Sequence, residues 1–316
     1  IKNISTIGLL PPSYSYNYQG NLDTYLWDNF WTLSGLNSIT KLAREINTFL
    51  NIKDIEVLSE SFTSSINDLF DHLIQSGELN VIPISNKTHV DASVVSSLCS
   101  VYPCDILDNR HPFIQKTLSF IDESFCIDNI FYSPQSPMGF SLYENLLLAQ
   151  SYIKLKNSIG FNILNWLTKH CSSTGCWPES IHPTTKGGSY GEGYYSVANF
   201  EYIQIIRNLL VDEKEKELSI LPFIPKEWLN ESSKPIVVSN LPTKFGMVSF
   251  TLNKVDSNKI IIYFSNKFKS APFKIKISLP VKIRKVLLGT TEKTVDAMYV
   301  KLSPRSNKVE LVLDNG

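Results

Sequence analysis

The sequence lacks a net charge of either sign, a basic patch and a long hydrophobic run. Its 316 residues carry 30 basic and 30 acidic side chains, without a long block of either charge. Nucleic-acid-binding proteins usually show a basic patch or stripe, so we expect no nucleic-acid partner. No apolar stretch reaches the ~18 residues that cross a bilayer, so we expect a soluble protein without a membrane span. The compartment, cytoplasmic or secreted, stays open.

Motifs for metal, phosphate or nucleophilic chemistry are also missing. Five cysteines are present, but none lies in the closely spaced Cys or Cys/His groups that bind zinc. A local bridge between Cys171 and Cys176 and a set of buried free thiols are both open interpretations. There is no P-loop, no Gly-x-Ser-x-Gly elbow and no His-Glu-x-x-His, and the glycine-rich run 187–193 follows no strand of a βαβ unit. We therefore expect neither a metal nor another cofactor.

The length and the hydrophobic pattern predict two domains. Residues 1–215 place apolar side chains at helical spacing, for example Phe62, Ile66, Leu69 and Leu73 in a predicted helix over 56–74. Residues 216–316 consist of short β-rich runs about ten residues apart, separated by turns. The predicted fold class is multidomain, α then β. A helical catalytic region, 1–215, precedes a small antiparallel β-sandwich, 216–316, that packs against it.

Two segments combine aromatic residues, glycines and carboxylates at helix starts or in loops. The first runs from Tyr14 to Trp31 and the second from Thr174 to Tyr195. Sugar sites need this mixture, because flat rings cover the C–H faces of a pyranose while two carboxyl groups supply the acid and the base. The pattern therefore predicts an oligosaccharide or glycoside as the substrate.

Asp28 and Glu179 are the candidate catalytic residues. Asp28 lies among Trp27, Phe30 and Trp31, and apolar walls of this kind raise a carboxyl pKa, as a general acid requires. Glu179 follows Trp177 and Pro178 in a loop, where catalytic groups often lie. A solvated first-turn acid at Asp28 and a plain loop carboxylate at Glu179 are the structural alternatives.

Other residues of the two segments are candidates for binding the sugar. Glu192, between two glycines, is a helix cap, a substrate contact or a rival base. His182 either makes a structural hydrogen bond or contacts a hydroxyl group, and we expect the second. The candidates for stacking on the sugar are the aromatic residues of both segments: Trp27, Trp31, Trp177, Tyr194 and Tyr195.

The helical region resembles the glucoamylase-type glycoside hydrolases and their six-hairpin (α/α) toroid relatives. Tyr25-Leu-Trp-Asp-Asn-Phe-Trp resembles the family's Leu-Trp-acid segment, which implies that Asp28 is the general acid. Ser173-Thr-Gly-Cys-Trp-Pro-Glu is similar to the loop that supplies the general base, which implies that role for Glu179. The family usually has Glu where this sequence has Asp28, so the substrate pose must differ by about one methylene.

The resemblance also implies that the toroid is incomplete. A complete toroid needs twelve helices, whereas the periodicity of this sequence predicts about seven. The sequence begins with Ile1 and shows no signal-peptide pattern. We expect the N-terminal half of the toroid to lie upstream on the polypeptide or on a second chain.

The function that these features predict is hydrolysis of a glycosidic bond by an inverting mechanism. Two other classes stay open. A phosphorylase of similar architecture needs cations near Glu179, and Lys186 is the nearest one in the sequence. A non-catalytic protein that binds glycans or assembles with a partner needs the toroid but no activity.

Overall fold

The computed structural model describes residues 8–14, 22–46, 52–77, 79–86, 90–134, 138–230 and 234–314. The chain divides into two compact units, Ile1–Glu201 and Tyr202–Gly316. The first is mainly helical and the second is built on a β-sheet, so the predicted order of helices before strands is confirmed. The domain boundary predicted between residues 215 and 216 stays a prediction. The two units divide earlier, inside a helix.

Helices form where apolar residues recur every three or four positions. Helix α2 shows the principle, because Phe62, Ile66, Phe70 and Leu73 are all buried on one face and Gly77 follows the last turn with a left-handed φ of 68°. The predicted helix over 92–101 is a 3₁₀ helix, Ala92–Ser100, capped by Asp91. The helices are α1 (Leu26–Glu45), α2 (Ile52–Ser76), α3 (Pro112–Phe125), α4 (Leu142–Lys154), α5 (Ile159–Lys169) and α6 (Ser196–Leu210).

Short strand pairs in the helical unit fix the ends of its helices. The first pair joins β1 (Ser13–Tyr14) to β2 (Leu22–Asp23), just before α1. A second joins β3 (Cys126–Ile127) to β4 (Ile130–Phe131). The third group comprises β5 (Phe140–Ser141), β6 (Ser180–Ile181) and β7 (Gly188–Tyr190). It ties the start of α4 to the predicted catalytic loop.

The C-terminal unit has one connected sheet in place of the two separate antiparallel layers of the predicted sandwich. Its order is β10-β11-β12-β16-β14-β9-β8, with β13 beside β11 and β15 beside β14. Neighbours are antiparallel except β9 and β14, which are parallel in the described sheet. The sandwich is therefore not confirmed. The strands are β8 (Val211–Glu213), β9 (Glu217–Ile220), β10 (Ile236–Thr243), β11 (Gly246–Asp256), β12 (Lys259–Phe264), β13 (Lys267–Phe268), β14 (Lys274–Leu288), β15 (Thr291–Leu302) and β16 (Lys308–Leu313).

Strand β14 connects the two parts of this sheet. Residues 274–277 pair with β9, and residues 283–287 pair with β16 along the same strand, while β15 lies along its other edge. The register shifts between Ser278 and Ile283, around Pro280, which has no N–H to give to a ladder. Buried Val248, Ile262, Ile277 and Leu311 belong to the core that these strands enclose.

Candidate active site

The first candidate carboxyl group lies in the first turn of α1. The helix begins after Tyr25, whose backbone is extended, and it is anchored by the fully buried side chains of Leu26 and Phe30. A carboxylate is favoured there because the helix dipole is positive at its N-terminus. The Ser13 hydroxyl donates a hydrogen bond of 2.7 Å to Asp28 Oδ2. Asp28 is half-buried, and the hydrogen bond from Ser13 orients its side chain.

Three aspartates lie around the buried phenol of Tyr25. Burial raises the pKa of Tyr25, and the charges of Asp23, Asp28 and Asp91 raise it further. Asp23 accepts hydrogen bonds from a backbone N–H and a serine hydroxyl, and Asp91 caps the 3₁₀ helix. Asp23 and Asp91 therefore hold the local backbone, and Asp28 is the member of the group that we consider for chemistry.

Aromatic rings continue from Asp28 towards the start of α4. Trp27 and Trp31 have ring centroids 5.8 Å apart with planes inclined by 57°. Trp27 also meets the edge of Tyr143, with centroids 6.4 Å apart. Trp31 is 41% exposed, so part of its face is open to a ligand. These rings form one wall beside Asp28.

The start of α4 brings a carboxyl group that the sequence analysis did not consider. Glu144 is half-buried in the first turn and accepts a hydrogen bond from the Ser141 hydroxyl. Burial raises the pKa of Glu144, and the negative charge of the nearby Glu179 acts in the same direction. Glu144 therefore retains its proton to higher pH than an exposed glutamate does.

Backbone hydrogen bonds on both sides hold the loop that carries Glu179. The Glu179 N–H donates to the Tyr190 carbonyl at 3.1 Å, and the Leu142 N–H donates to the Glu179 carbonyl at 3.0 Å. Gly191 packs against the same backbone. A Cβ at Gly191 would come within 2.9 Å of Glu179 N and 3.0 Å of Glu179 Cβ. The backbone that carries Glu179 is thus fixed against the first turn of α4.

A series of neighbouring groups connects Asp28 to Glu179. Burial raises the pKa of the Cys99 thiol, and Cys104 and the charge of Asp28 raise it further. Burial likewise raises the pKa of Tyr143, to which Glu201, Cys99 and Glu144 contribute. The charge of Glu179 acts in turn on Glu144, the neighbour of Tyr143 in the sequence. The separation of their carboxyl groups stays a prediction.

Two of the residues predicted to bind sugar have structural surroundings instead. Trp177 is only 4% exposed, and its Nε1–H donates a 2.8 Å hydrogen bond to the Leu167 carbonyl. A ring face so covered does not suit stacking on a sugar, so this prediction for Trp177 is corrected to a core role. His182 is exposed, and its Nδ1 accepts hydrogen bonds from the N–H groups of Thr184 and Thr185. Its ring stabilises the following turn.

The remaining candidates lie on the glycine-rich loop before α6. Glu192 is exposed between Gly191 and Gly193, and it does not cap α6, which begins only at Ser196. Tyr194 is 69% exposed, which makes its ring available to a ligand. Tyr195 is half-buried, and its N–H donates a 2.8 Å hydrogen bond to the Trp177 carbonyl. The loop thus presents the exposed ring of Tyr194, whereas Tyr195 is bonded to Trp177 just before α6 begins.

The structure adds Tyr143, Glu144 and Glu201 to the candidate site. Burial raises the pKa of Glu201, which is half-buried on α6. Ser141 and Glu144 have the serine-x-x-glutamate spacing of a helix capping box, so sequence alone favours a structural role. Glu201 lies within a helix, where a single acid carries no periodic signal. The packing of α4 against the loop that carries Glu179 is what brings Glu144 and Glu179 together.

Among the described residues, no group of three or more His, Cys, Asp and Glu side chains is arranged to hold a metal ion. None of the helices in these ranges is long and apolar enough to cross a membrane. The five cysteines are free thiols, so the alternative of a Cys171–Cys176 bridge is not found.

Solved structures with partial likeness to this chain are glycosidases. A wild-type glycosidase aligns with 11% identity and a TM-score of 0.48, over 63% of this chain and 55% of its own. A glycosidase in complex with glucose aligns with 10% identity and a TM-score of 0.45, over 61% of this chain and 49% of its own. A GH127 β-arabinofuranosidase aligns with 9% identity and a TM-score of 0.37, over 90% of this chain and 59% of its own.

This chain spans about half the length of these solved structures. No family model and no curated protein matches the sequence. The neighbours belong to the class of enzyme that the sequence predicts. At TM-scores below 0.5, however, they establish neither the toroid nor the activity of this chain.

Proposed function

We propose that this chain carries both catalytic carboxyl groups of an inverting glycoside hydrolase. The proposal is supported by the contact between the rings of Trp27 on α1 and Tyr143 on α4, which lie beside Asp28 and Glu144, and by the charge of Glu179 acting on Glu144. Several carboxyl groups beside aromatic rings, one of them a glutamate whose pKa is raised, are a common setting for acid–base chemistry.

In this proposal Asp28 is the general acid. It protonates the glycosidic oxygen as the bond to the leaving sugar breaks. The hydrogen bond from Ser13 orients the side chain, and Trp27 and Trp31 line the approach. Because Asp is shorter than the Glu of the related family, the glycosidic oxygen must approach the first turn of α1 more closely.

Glu179 is the general base, which removes a proton from a water molecule on the opposite face of the sugar. Its backbone is bonded on both sides, so the carboxylate is carried on a fixed segment. Glu144 supports this role because its pKa is raised and it retains a proton more readily. A protonated Glu144 carries no negative charge beside Glu179. An inverting mechanism requires the carboxyl groups of Asp28 and Glu179 to lie about 6.5–9.5 Å apart.

The substrate is an oligosaccharide or another glycoside. Trp31 and Tyr194 are large, exposed rings that belong to the two segments carrying the catalytic residues. Such rings combine an apolar face with a polar edge, as a sugar does. Trp27 contributes the inner wall rather than an open face, since it is half-buried between Trp31 and Tyr143.

Further helices complete the toroid in this proposal, from an upstream segment or from a second chain. Helix α1 supports it, because Ile39, Leu42 and Ile46 are exposed at helical spacing on a flank of the face that carries the buried Leu33, Leu36, Thr40 and Ala43. On α6, Val197 and Phe200 are likewise exposed. Exposed apolar stripes on helices usually mark surfaces that another element covers.

The test is hydrolysis of a panel of glycosides by the polypeptide that contains this chain, with Asp28→Asn and Glu179→Gln as variants. Each variant should lower kcat by about 10³-fold, the usual contribution of a positioned acid or base. Glu192→Gln is the matched control, because it neutralises an exposed glutamate of the same loop and should change kcat by less than about threefold. Unchanged activity of either catalytic variant contradicts the assignment, and a large loss in Glu192→Gln identifies Glu192 as the base.

The anomer released, followed by proton NMR, tests the mechanism separately. Inversion of configuration is the expected result. Retention requires a nucleophile at about 5 Å from the acid and contradicts the pair as assigned. Phosphate-dependent cleavage supports the phosphorylase alternative, and binding of glycans without cleavage supports the non-catalytic one.

A further inference from the structure

A pocket of about 380 Å³ lies between the end of α5 and the glycine-rich loop. His170 and Ser172 line it from the end of α5, and Lys186, Gly191 and Gly193 line it from the loop. Its volume falls within the range of small-molecule sites. The side chain of Glu179 does not line it, so it is distinct from the proposed catalytic centre, although Gly191 contacts both.

A hydrogen bond fixes which of the two ring nitrogens of His170 carries the hydrogen. Its Nδ1 lies 2.7 Å from the Trp166 carbonyl oxygen. Since a carbonyl oxygen only accepts hydrogen bonds, Nδ1 carries the hydrogen, and Nε2 is the nitrogen left for a ligand. The imidazole also stacks on Trp166, with centroids 4.0 Å apart and planes inclined by 28°. Two contacts to the same tryptophan therefore fix the ring.

Lys186 brings a positive charge that no carboxylate of the described residues neutralises. Its Nζ lies 4.7 Å from the centroid of Phe140 and 5.7 Å from that of Trp166. These rings attract the ammonium group without supplying a counter-ion. Within the described ranges Lys186 forms no ion pair, so its charge is available to a ligand.

Two glycines bring backbone to the same pocket. Gly191 and Gly193 have left-handed φ values of 84° and 83°, and neither N–H has an acceptor among the residues that the structure describes. A Cβ at Gly193 would meet nothing within 4 Å, so a ligand can approach the backbone there. The nearest carboxylates in the sequence, Glu179 and Glu192, are not part of the lining.

We propose that this pocket binds the phosphate group of a small molecule. An ammonium group, an imidazole and backbone N–H groups, without a carboxylate in the lining, suit an anion with several acceptor oxygens. The phosphate belongs either to the free ion or to a phosphate ester such as a sugar phosphate. This binding does not depend on the proposed hydrolysis, because it requires neither Asp28 nor Glu179.

Isothermal titration calorimetry at constant ionic strength tests the proposal with three probes: inorganic phosphate, glucose 6-phosphate and glucose. We expect saturable binding of at least one phosphate probe and none of glucose. Tighter binding of glucose 6-phosphate identifies an ester as the ligand class, and equal or tighter binding of inorganic phosphate identifies the free ion. Absence of saturable binding of both probes up to about 10 mM overturns the proposal.

Variants locate the binding. Lys186→Gln should raise Kd at least about tenfold, as should His170→Gln, which reaches the pocket from a different element. Lys169→Gln is the matched control, because it removes an exposed lysine next to His170 and should leave Kd within about twofold. Circular dichroism checks that each variant is folded, and Lys186→Arg, which keeps the charge, should bind within about threefold of the native protein. Equal losses in Lys169→Gln and Lys186→Gln indicate general charge attraction and contradict the site.

Discussion

Glutamates of the helical unit and of the sheet unit have opposite surroundings. In the helical unit, burial raises the pKa of Glu144 and of Glu201 above the ordinary 4.5. In the sheet unit, hydrogen bonds from Lys259 and Lys308 lower the pKa of Glu310 to about 2. Glu310 Oε2 lies 2.6 Å from Lys259 Nζ, and Glu310 Oε1 lies 2.7 Å from Lys308 Nζ. The surroundings of a glutamate thus favour the protonated form in the helical unit and the ionised form in the sheet unit.

The difference separates carboxylates that stabilise a fold from carboxylates available for chemistry. On the sheet, Glu310 faces Lys259 on the neighbouring strand β12, as in an ordinary cross-strand ion pair. Around Tyr143, Glu144, Glu179 and Glu201 form no ion pair with a cation of the described residues. Half-buried carboxyl groups without a cationic partner are candidates for proton transfer.

The largest expected effect comes from the backbone that holds Glu179. We expect Gly191→Ala to lower the proposed glycosidase activity on the order of 100-fold, the cost of a misplacement of about 1 Å in an active site. The new Cβ would collide with Glu179 N and Cβ. Gly193→Ala is the matched control, because it has nearly the same left-handed φ but meets no atom within 4 Å. Steady-state kinetics measures both, and equal losses would mean that backbone strain, rather than the position of Glu179, decides activity.

The second effect is on stability in the helical unit. Because the folded-state pKa of Glu144 is raised, its contribution is complete below pH 4.5 and is lost as the pH rises through the folded-state pKa. Glu144→Gln does not ionise, so this loss of stability is absent from the variant. From acidic to neutral pH, the free energy of unfolding of the variant should therefore rise by on the order of 1 kcal/mol relative to that of the native protein. Thermal unfolding over this pH range measures the change. Glu123→Gln, at an exposed position of α3, should show no such dependence.

The smallest effect should come from Glu310→Gln, with the opposite sign. A pKa lowered from 4.5 to about 2 gives a contribution that is present above pH 4.5 and lost as the pH falls towards 2. The variant should be slightly less stable than the native protein at neutral pH, and the two should converge in acid. The effect is small because this pair lies at the surface, where solvent and salt screen it. Chemical denaturation in low and high salt checks this, since added salt should shrink the difference.

Patterns that repeat along the chain were predictable, whereas single contacts were not. The stripe of α2 predicts its helix because every third or fourth residue is buried. Strand β8 is not predicted by the sequence, because it lies within the region assigned to helices and only the burial of Val211 in the sheet core reveals it. Trp177 and Trp31 are both bulky aromatics beside an acid, and only the packing against Leu167 distinguishes the core residue from the exposed one. The raised pKa of Glu144 could not be predicted from the sequence, because it arises from burial and from the charge of Glu179, which is distant in sequence.

Strand β14 has a consequence for how the C-terminal unit opens. One part of it bonds to β9 and another to β16, so both regions of the sheet share a single continuous backbone. Neither region can separate without breaking hydrogen bonds on that strand. Amide hydrogen exchange along residues 274–288 should therefore report the slowest, global opening of this unit, and β10, at the far end of the sheet order, should exchange earlier through local fraying.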